Sequence, residues 1–136
     1  PDVQIALMSI HPKFADRILS GEKRVEFRKK GFGENVQYVV IYATNPVQKV
    51  VGVFEVADVI QDSPDELWNK YEDVAGVELE FYQQYFLSRD TGVAIEVGDV
   101  IPLEEPISLS DIDQTYCPPQ SYRYIESEKV TTFLYR

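Results

Sequence analysis

The sequence predicts an α+β fold: a small, partly open β-barrel of five or six strands with a few helices inserted between them. Short apolar runs of strand length recur along the chain, separated by turn residues and by stretches with helical spacing. Nine Tyr and seven Phe accompany a single Trp, which favours a β-rich interior. Gly52 interrupts the longest apolar run, as the corners of a barrel require.

The first part of the chain predicts strand, helix and strand in close succession. Val3 to Ile10 is apolar enough for a strand. A helix begins at His11-Pro12, because proline suits the first helical position, and ends at Gly21. The second strand covers Val25 to Lys29, and Gly31 to Gly33 makes a flexible loop.

The central part predicts two strands and a helix. Val36 to Ala43 is apolar on both faces, which is typical of a central strand. Asn45-Pro46 is a turn, and Val50 to Ile60 is a long strand. Ser63-Pro64-Asp65-Glu66 begins a helix, with serine as cap, proline at the first position and glutamate three residues after the cap.

The last part predicts a helix, a strand and an extended segment. Val77 to Leu87 has helical spacing, and Val93 to Val97 reads as a strand that ends in a turn at Gly98-Asp99. Val100 to Leu109 is extended and interrupted by prolines. The tyrosine-rich tail from Tyr116 has no clear pattern.

Length and composition indicate one globular domain. We expect residues 1–136 to form a single domain with a real core, and a hydrophobic content of 44% excludes a disordered chain. The single Cys117 forms no internal disulfide, which favours a reducing compartment. No run approaches the ~18 apolar residues of a membrane span, so we predict a cytoplasmic protein with no membrane partner. Pro1 is not a natural initiator, so targeting stays open.

Charge is distributed unevenly along the chain. The net charge is −10, but residues 1–50 have a balance of +3 and residues 51–136 one of −13. Seven of the thirteen cations lie between Lys13 and Lys30. An acidic body with a small basic patch favours a short or single-stranded nucleic acid, or a nucleotide-sized ligand, over long duplex. A solvated surface of uneven charge is the plain alternative.

One octet, Gly21-Glu22-Lys23-Arg24-Val25-Glu26-Phe27-Arg28, concentrates mixed charges just after a helix stop. Side chains alternate along a strand, so Glu26 and Arg28 should share one face while Val25 and Phe27 point into a core. With Lys23 they form a set that suits a polar, partly anionic ligand. Mutual neutralisation on an exposed strand, worth ~0–1 kcal/mol, is the alternative.

The octet and its surroundings resemble the ASCH domain, a PUA-like module, over nearly the whole chain and in order. The blocks that carry the resemblance are Ser9-Ile10-His11-Pro12 with the turn to Lys23, Tyr42-Ala43-Thr44-Asn45-Pro46, Val50-Val51-Gly52, Ser63 to Trp68, and Pro118-Pro119-Gln120-Ser121-Tyr122. The resemblance implies a PUA-like barrel and an RNA or nucleotide-like ligand. It also implies a role in RNA processing or transcriptional regulation.

Candidate binding residues follow from the octet and the resemblance. Lys23, Glu26 and Arg28 are the first group, and in this family the end of the central strand lines the same cleft. We therefore add a second group, namely Thr44, Asn45 and Ser9. Among the tyrosines Tyr42, Tyr116, Tyr122 and Tyr124, any of which could stack on a base, Tyr122 lies beside a family block and is the candidate. Ordinary turn chemistry and half-buried barrel tyrosines are the alternatives.

Other site classes find little support. His11 is the single histidine, and it forms no metal-ligand spacing with Cys117. The acids lack the pattern of a calcium loop, and Gly31-Phe32-Gly33 is too short for a phosphate loop. We therefore predict neither a metal nor a cofactor.

Three functions stay open. The first is a binding module for RNA or a modified nucleotide. The second is the amidohydrolase branch of the family, whose motif G-x-K-x-x-T-x-R has a threonine nucleophile where this chain has Glu26. The third is a ribonuclease, in which Lys23 and Arg28 stabilise a phosphorane and Glu26 accepts the proton of the 2′-hydroxyl.

Overall fold

A computed structural model describes residues 3–134. It has six strands and five α-helices in this part of the chain. The strands are β1 (Ile5–Ile10), β2 (Val25–Arg28), β3 (Tyr38–Ala43), β4 (Lys49–Asp62), β5 (Gly92–Ile107) and β6 (Tyr122–Ile125). The helices are α1 (Pro12–Ser20), α2 (Pro64–Tyr71), α3 (Leu79–Tyr85), α4 (Leu109–Ile112) and α5 (Ser127–Leu134), with a short 3-10 turn at Glu72–Val74.

The six strands form one curled half-barrel sheet in the order β2-β5-β4-β3-β1-β6. Neighbours pair antiparallel, except for the parallel pair β1 and β3. The predicted α+β class and the partly open barrel of five or six strands are therefore confirmed. The tail that had no clear pattern forms the edge strand β6 and helix α5.

The helix boundaries follow the local signals. Gly21 ends α1 with a φ of +88°, and the Ser63 hydroxyl at the start of α2 accepts a hydrogen bond from the Glu66 amide. None of the helices between residues 3 and 134 has the length and apolar character that crossing a bilayer requires.

The turn predicted at Gly98-Asp99 is wrong. Strand β5 continues through it, with Val97 opposite Val56 and Val100 opposite Phe54, and the pairing shifts register at bulges. A bulge absorbs the extra residues and bends the strand without ending it. A Cβ at Gly98 would lie 3.1 Å from the Glu55 carbonyl oxygen, so the two strands approach closely at this bulge.

Three apolar clusters cover the sheet. One lies on the face of the sheet against α1 and includes Met8 of β1, Ile41 of β3 and Ile95 of β5, beneath Ile18 of α1. A second packs the other face against α4 and α5. The third joins Phe27 of β2 to α2 and α3. Strand β2 thus lies at a sheet edge between α1 and α3, which is where the octet's charges are placed.

Candidate functional site

A cavity of about 170 Å³ lies at the edge of the sheet, between the end of β1, helix α1, strand β2 and helix α3. Its floor is polar and charged, and its mouth is aromatic. It is lined by Ser9, Ile10, His11, Phe14, Lys23, Glu26, Phe27, Arg28, Val77, Phe81, Tyr82 and Tyr85. For scale, an engineered cavity of ~150 Å³ accepts one benzene ring. The volume therefore suits one aromatic ring entering from the surface.

Lys23 is the most deeply buried charged side chain of the described chain, with 1% of its surface exposed. Its Nζ donates to the Ala75 carbonyl at 2.6 Å and lies 3.8 Å from Glu26 Oε1. The rings of Phe14 and Phe27 lie 5.5 and 5.4 Å from Nζ. Burial lowers the pKa of Lys23, against the opposing effect of the Glu26 carboxylate.

Backbone geometry between the 3-10 turn and α3 makes room for Lys23. Gly76 has a φ of +63°, and a Cβ there would lie 2.4 Å from the Lys23 Cβ. The Lys23 amide also bonds to the Arg17 carbonyl at the end of α1. Lys23 is thus fixed at both ends: its amide bonds to Arg17 of α1, and its ammonium bonds to Ala75, which is 52 residues further along the chain.

Glu26 and Arg28 share one face of β2, as the alternation predicts. Val25 and Phe27 are buried in the third apolar cluster, and the Phe27 ring also reaches the cavity. Nε and Nη2 of Arg28 both donate to Oε2 of Glu26, at 3.1 and 2.8 Å. Both hydrogen bonds that this carboxylate accepts within residues 3–134 use Oε2. Oε1 therefore keeps acceptor capacity beside the Lys23 ammonium.

Arg28 also connects the two ends of the curled sheet. Its Nη2 donates to the Ser9 carbonyl of β1 at 2.8 Å, and its Nη1 donates to Ser121 Oγ, just before β6, at 3.2 Å. Ser9 Oγ in turn donates to the Pro119 carbonyl at 2.6 Å. Most donors of the guanidinium are therefore committed to protein acceptors, and its main role in the cavity is to fix the Glu26 carboxylate.

The mouth of the cavity consists of aromatic rings from α1 and α3. Phe14 meets Phe81 edge to face at 5.0 Å, and Phe81 lies parallel to Tyr85 at 6.4 Å. Phe81 is 50% exposed, although it is a large apolar side chain. Burial raises the pKa of the Tyr85 hydroxyl, so this group stays neutral. The exposed Phe81 ring and the half-buried Tyr85 ring lie parallel above a polar floor and are suited to stacking on a flat ligand.

The structure brings together four of the sequence candidates: Ser9, Lys23, Glu26 and Arg28. Tyr122 lines an adjoining depression that it shares with Arg28. Thr44 and Asn45 are not among the residues that line either space. The Thr44 amide instead bonds to the Ile10 carbonyl, one residue beyond the end of the β1–β3 ladder.

The other tyrosines considered as stacking residues are mostly unavailable. Tyr42 and Tyr116 are buried in the second apolar cluster, and burial raises the pKa of both hydroxyls. Tyr124 is half-buried, and its hydroxyl accepts a hydrogen bond from the Gly33 amide. These three tyrosines therefore stabilise the fold and are not placed to stack on a base.

Sequence reasoning did not assign the aromatic mouth to the site. Phe14 lies within the predicted first helix, and Phe81 and Tyr85 lie within the helix predicted from Val77 to Leu87, but none of them is a sequence candidate. The sequence does contain one signal for the mouth: Phe81 and Tyr85 are both aromatic and lie four residues apart, so they share one face of the helix. Within residues 3–134 no group of three or more His, Cys, Asp or Glu side chains is placed to hold a metal ion.

Comparisons with known proteins support the same fold. A family model described as the ASCH domain matches residues 8–102. A curated relative from Zymomonas mobilis, named an ASCH domain-containing ribonuclease, is 32% identical over 133 residues, which cover 95% of this chain and 89% of the relative. The crystal structure of ASCH from Zymomonas mobilis matches with a TM-score of 0.88 at 30% identity, covering 96% of this chain and 94% of that one.

A more distant likeness concerns the fold alone. The N-terminal domain of McrB from Staphylothermus marinus matches with a TM-score of 0.63 at 13% identity, covering 100% of this chain and 96% of that one. The shared architecture therefore extends to proteins with little similarity in sequence. Together these matches confirm the predicted PUA-like architecture.

Proposed function

The chain belongs to the ASCH domain family, and we propose that it binds single-stranded RNA by receiving one base, ordinary or modified, in the cavity above Lys23 and Glu26. The observation that carries this proposal is the combination of a ring-sized cavity, an aromatic mouth and a buried donor–acceptor pair. Proteins that recognise single-stranded RNA commonly stack a splayed-out base on aromatic rings and hydrogen-bond to its edge.

The floor offers complementary groups to the edge of a base. The Lys23 ammonium donates to a ring carbonyl or an unprotonated ring nitrogen, while Glu26 Oε1 accepts from a ring N–H or an exocyclic amine. Arg28 keeps the carboxylate in place through its two bonds to Oε2. A base edge with a donor next to an acceptor therefore satisfies both buried groups at once.

The aromatic mouth supplies affinity with little dependence on sequence. Stacking of one base on an aromatic side chain is worth ~1–3 kcal/mol. Phe81 is the most exposed ring of the mouth, so it is the ring that an entering base meets first. Specificity for the base then rests on Lys23 and Glu26, and affinity rests largely on Phe81 and Tyr85.

A titration of short fluorescent single-stranded RNA tests this division. We expect Phe81→Ala to weaken binding about tenfold, while Leu87→Ala, which removes a still more exposed apolar side chain just beyond α3, leaves it unchanged. Glu26→Gln should change the order of preference among homopolymers more than the tightest affinity. Equal behaviour of Phe81→Ala and Leu87→Ala would show that the base does not enter here.

The Zymomonas relative gives a specific reason to consider a second function, since its name is that of a ribonuclease. In this alternative the phosphate next to a 2′-hydroxyl, rather than a base edge, lies against Lys23. Glu26 Oε1 takes the 2′-hydroxyl proton, O2′ attacks phosphorus, and the bond from phosphorus to the 5′ oxygen breaks. Lys23 stabilises the developing negative charge and protonates the leaving oxygen.

Incubation of end-labelled RNA with wild type and Glu26→Gln separates the two functions. A ribonuclease releases fragments that end in a cyclic phosphate, and the glutamine variant loses that release because an amide is not a base at neutral pH. A binding module retains RNA without fragments. For both the binding module and the ribonuclease, the name of the relative favours a role in RNA processing over one in transcriptional regulation. The exposed thiol of Cys117 suits a reducing, cytoplasmic compartment.

The amidohydrolase branch is disfavoured by the position of Glu26. In this chain Glu26 stands at the motif position of the threonine nucleophile, and Arg28 holds its carboxylate. A carboxylate there repels hydroxide and forms no ester of the kind a threonine forms. We expect no useful hydrolysis of N4-acetylcytidine by the purified protein. Robust turnover that is lost in Lys23→Ala would contradict this expectation.

A further inference from the structure

We propose that the RNA strand leaves the cavity along a furrow in which Lys29, Lys30 and Arg89 bind its phosphates. The furrow is defined by Arg28, Lys29, Lys30, Arg89 and Tyr122. This inference rests on the proposed function, because it requires a nucleotide in the cavity. It adds the path of the neighbouring nucleotides and the residues that contact them.

The furrow is continuous with the cavity. A depression of about 560 Å³ next to the cavity shares Arg28 and Tyr85 with its lining. A further depression of about 450 Å³ continues beyond it and shares Lys29, Lys30 and Arg89 with the first. A strand that leaves the cavity past Tyr85 therefore enters an existing channel on the surface.

The charge of the furrow differs from that of the rest of the chain. Four of the thirteen cations line these two depressions, whereas no Asp or Glu among residues 3–134 lines either of them. The net charge of the whole chain is −10, and the depression between α2 and α3 contains Asp65 and Asp90. A carboxylate-free basic furrow on an acidic protein is complementary to a phosphate backbone, and non-specific contacts of this kind position a strand.

The furrow's cations are placed for phosphate contact. The Arg89 guanidinium donates to the Lys29 carbonyl at 3.2 Å, which holds it over the furrow. The Lys29 ammonium lies 5.0 Å from the centre of the Tyr85 ring, at the boundary with the cavity. Lys29 and Lys30 are exposed, and within the described part of the chain neither they nor Arg89 forms an ion pair.

The opposite side of the cavity offers less to a phosphate. Arg17 on α1 forms ion pairs with Glu22 at 3.3 Å and Glu78 at 3.5 Å, and it donates to the Gly76 carbonyl at 2.7 Å. A phosphate there would meet a guanidinium that is already paired and two carboxylates that repel it. The strand is therefore directed away from α1 and toward the furrow.

Tyr122 provides a surface for the next base. Its ring is half-buried, lines the furrow, and is fixed edge to face against Phe32 at 4.9 Å and Tyr124 at 5.6 Å. A ring that is held by its neighbours loses little freedom when a base stacks on it. The sequence candidate Tyr122 thus receives a role outside the cavity, at the nucleotide that follows the inserted one.

The test compares two double variants that change the net charge equally. Lys29→Ala/Lys30→Ala removes furrow cations, and Lys49→Ala/Lys70→Ala removes two exposed cations outside both the cavity and the furrow. Each protein is titrated with a single-stranded RNA hexamer at several salt concentrations and, separately, with a nucleoside. Melting curves verify that both variants are folded.

We expect the furrow variant to bind the hexamer about tenfold more weakly, with a salt slope reduced by up to ~1.4, since each lost phosphate contact removes ~0.7 for single strands. Its binding of the nucleoside, which has no phosphate, and all binding by the control variant should match wild type. Equal hexamer binding by the two variants overturns the furrow but leaves the cavity proposal intact. Failure of wild type to bind either ligand overturns both.

Discussion

The two ends of strand β2 carry the same kind of charge in opposite environments. Lys23, just before the strand, is almost entirely buried, bonds to the Ala75 carbonyl and lies beside Glu26. Lys29 and Lys30, just after it, are exposed and line the carboxylate-free furrow. A count of charge treats these lysines as one basic patch, whereas burial separates them into two functions.

The difference follows from what each environment does to a cation. A buried ammonium keeps its charge only with fixed partners, so Lys23 is rigid and directional and is suited to reading a ligand's edge. An exposed ammonium is solvated and mobile, so Lys29 and Lys30 are suited to phosphates at variable positions. Changes at the first end should therefore affect stability and specificity, and changes at the second end should affect affinity and salt dependence.

The largest expected effect is that of Glu26→Leu. It leaves Lys23 and most of Arg28 buried without their carboxylate, and loss of one partner of a buried ion pair typically costs about 3–5 kcal/mol. Unfolding in urea measures this change. Glu34→Ala, at an exposed position, is the control and should stay within about 0.5 kcal/mol of wild type. A similar small loss for Glu26→Leu would mean that the two ends of β2 do not differ as described.

Gly76→Ala tests how tightly the backbone packs against the buried Lys23 side chain. Both Gly76 and Gly21 have a positive φ, but an added Cβ would overlap Lys23 only at Gly76, and it would meet nothing within 4 Å at Gly21. Gly21→Ala should therefore cost about 1 kcal/mol from backbone strain alone, and Gly76→Ala about 2–4 kcal/mol from strain plus overlap. Equal losses in thermal or urea unfolding would contradict the tight packing of Lys23.

Arg28→Lys tests whether the guanidinium acts through its fixed geometry. The variant keeps the charge but loses the fork that holds Glu26 and the bonds to Ser9 and Ser121, and we expect a loss of about 2 kcal/mol. RNA binding should weaken along with it, because Glu26 is no longer fixed. Lys30→Arg is the matched exchange at the exposed end, and it should change neither quantity.

The smallest effect concerns pH. The lowered pKa of Lys23 means that the unfolded chain binds more protons than the folded one between that pKa and the ordinary value of 10.5. Stability from this group therefore rises with pH in that window, by at most about 1.4 kcal/mol per pH unit. The unfolding free energy of wild type relative to Lys23→Met should increase as the pH rises toward 10.5. A difference that stays flat or falls over this range would contradict the burial of the Lys23 ammonium.

Local patterns in the sequence predicted the features that depend on neighbouring residues. Alternation placed Glu26 and Arg28 on one face of β2, and the Gly21 and Ser63 signals marked helix ends that the structure confirms. These features need only a few residues of context. Strands β1 to β5 were each predicted at least in part, because their apolar runs are bounded by turn residues, whereas β6 lies in the tail that had no clear pattern.

The features that escaped the sequence depend on contacts between distant segments. Ala75, which accepts from Lys23, is 52 residues away, and Ser121 is 93 residues from Arg28. No local spacing reports such pairs, so neither the burial of Lys23 nor the bridging role of Arg28 was foreseen. The Gly98-Asp99 turn failed for a related reason: whether a glycine ends a strand or forms a bulge depends on the partner strand.

Photocrosslinking measures the position of RNA most directly. A short single-stranded RNA with photoactivatable bases is irradiated in complex with the protein, and the modified residues are mapped by mass spectrometry. We expect adducts on Phe14, Phe81 or Tyr85, with a second set on Tyr122. Adducts confined to Trp68 in the depression between α2 and α3, or to Lys13 and Arg17 of α1, would contradict the claim that a base enters the cavity at the buried end of β2.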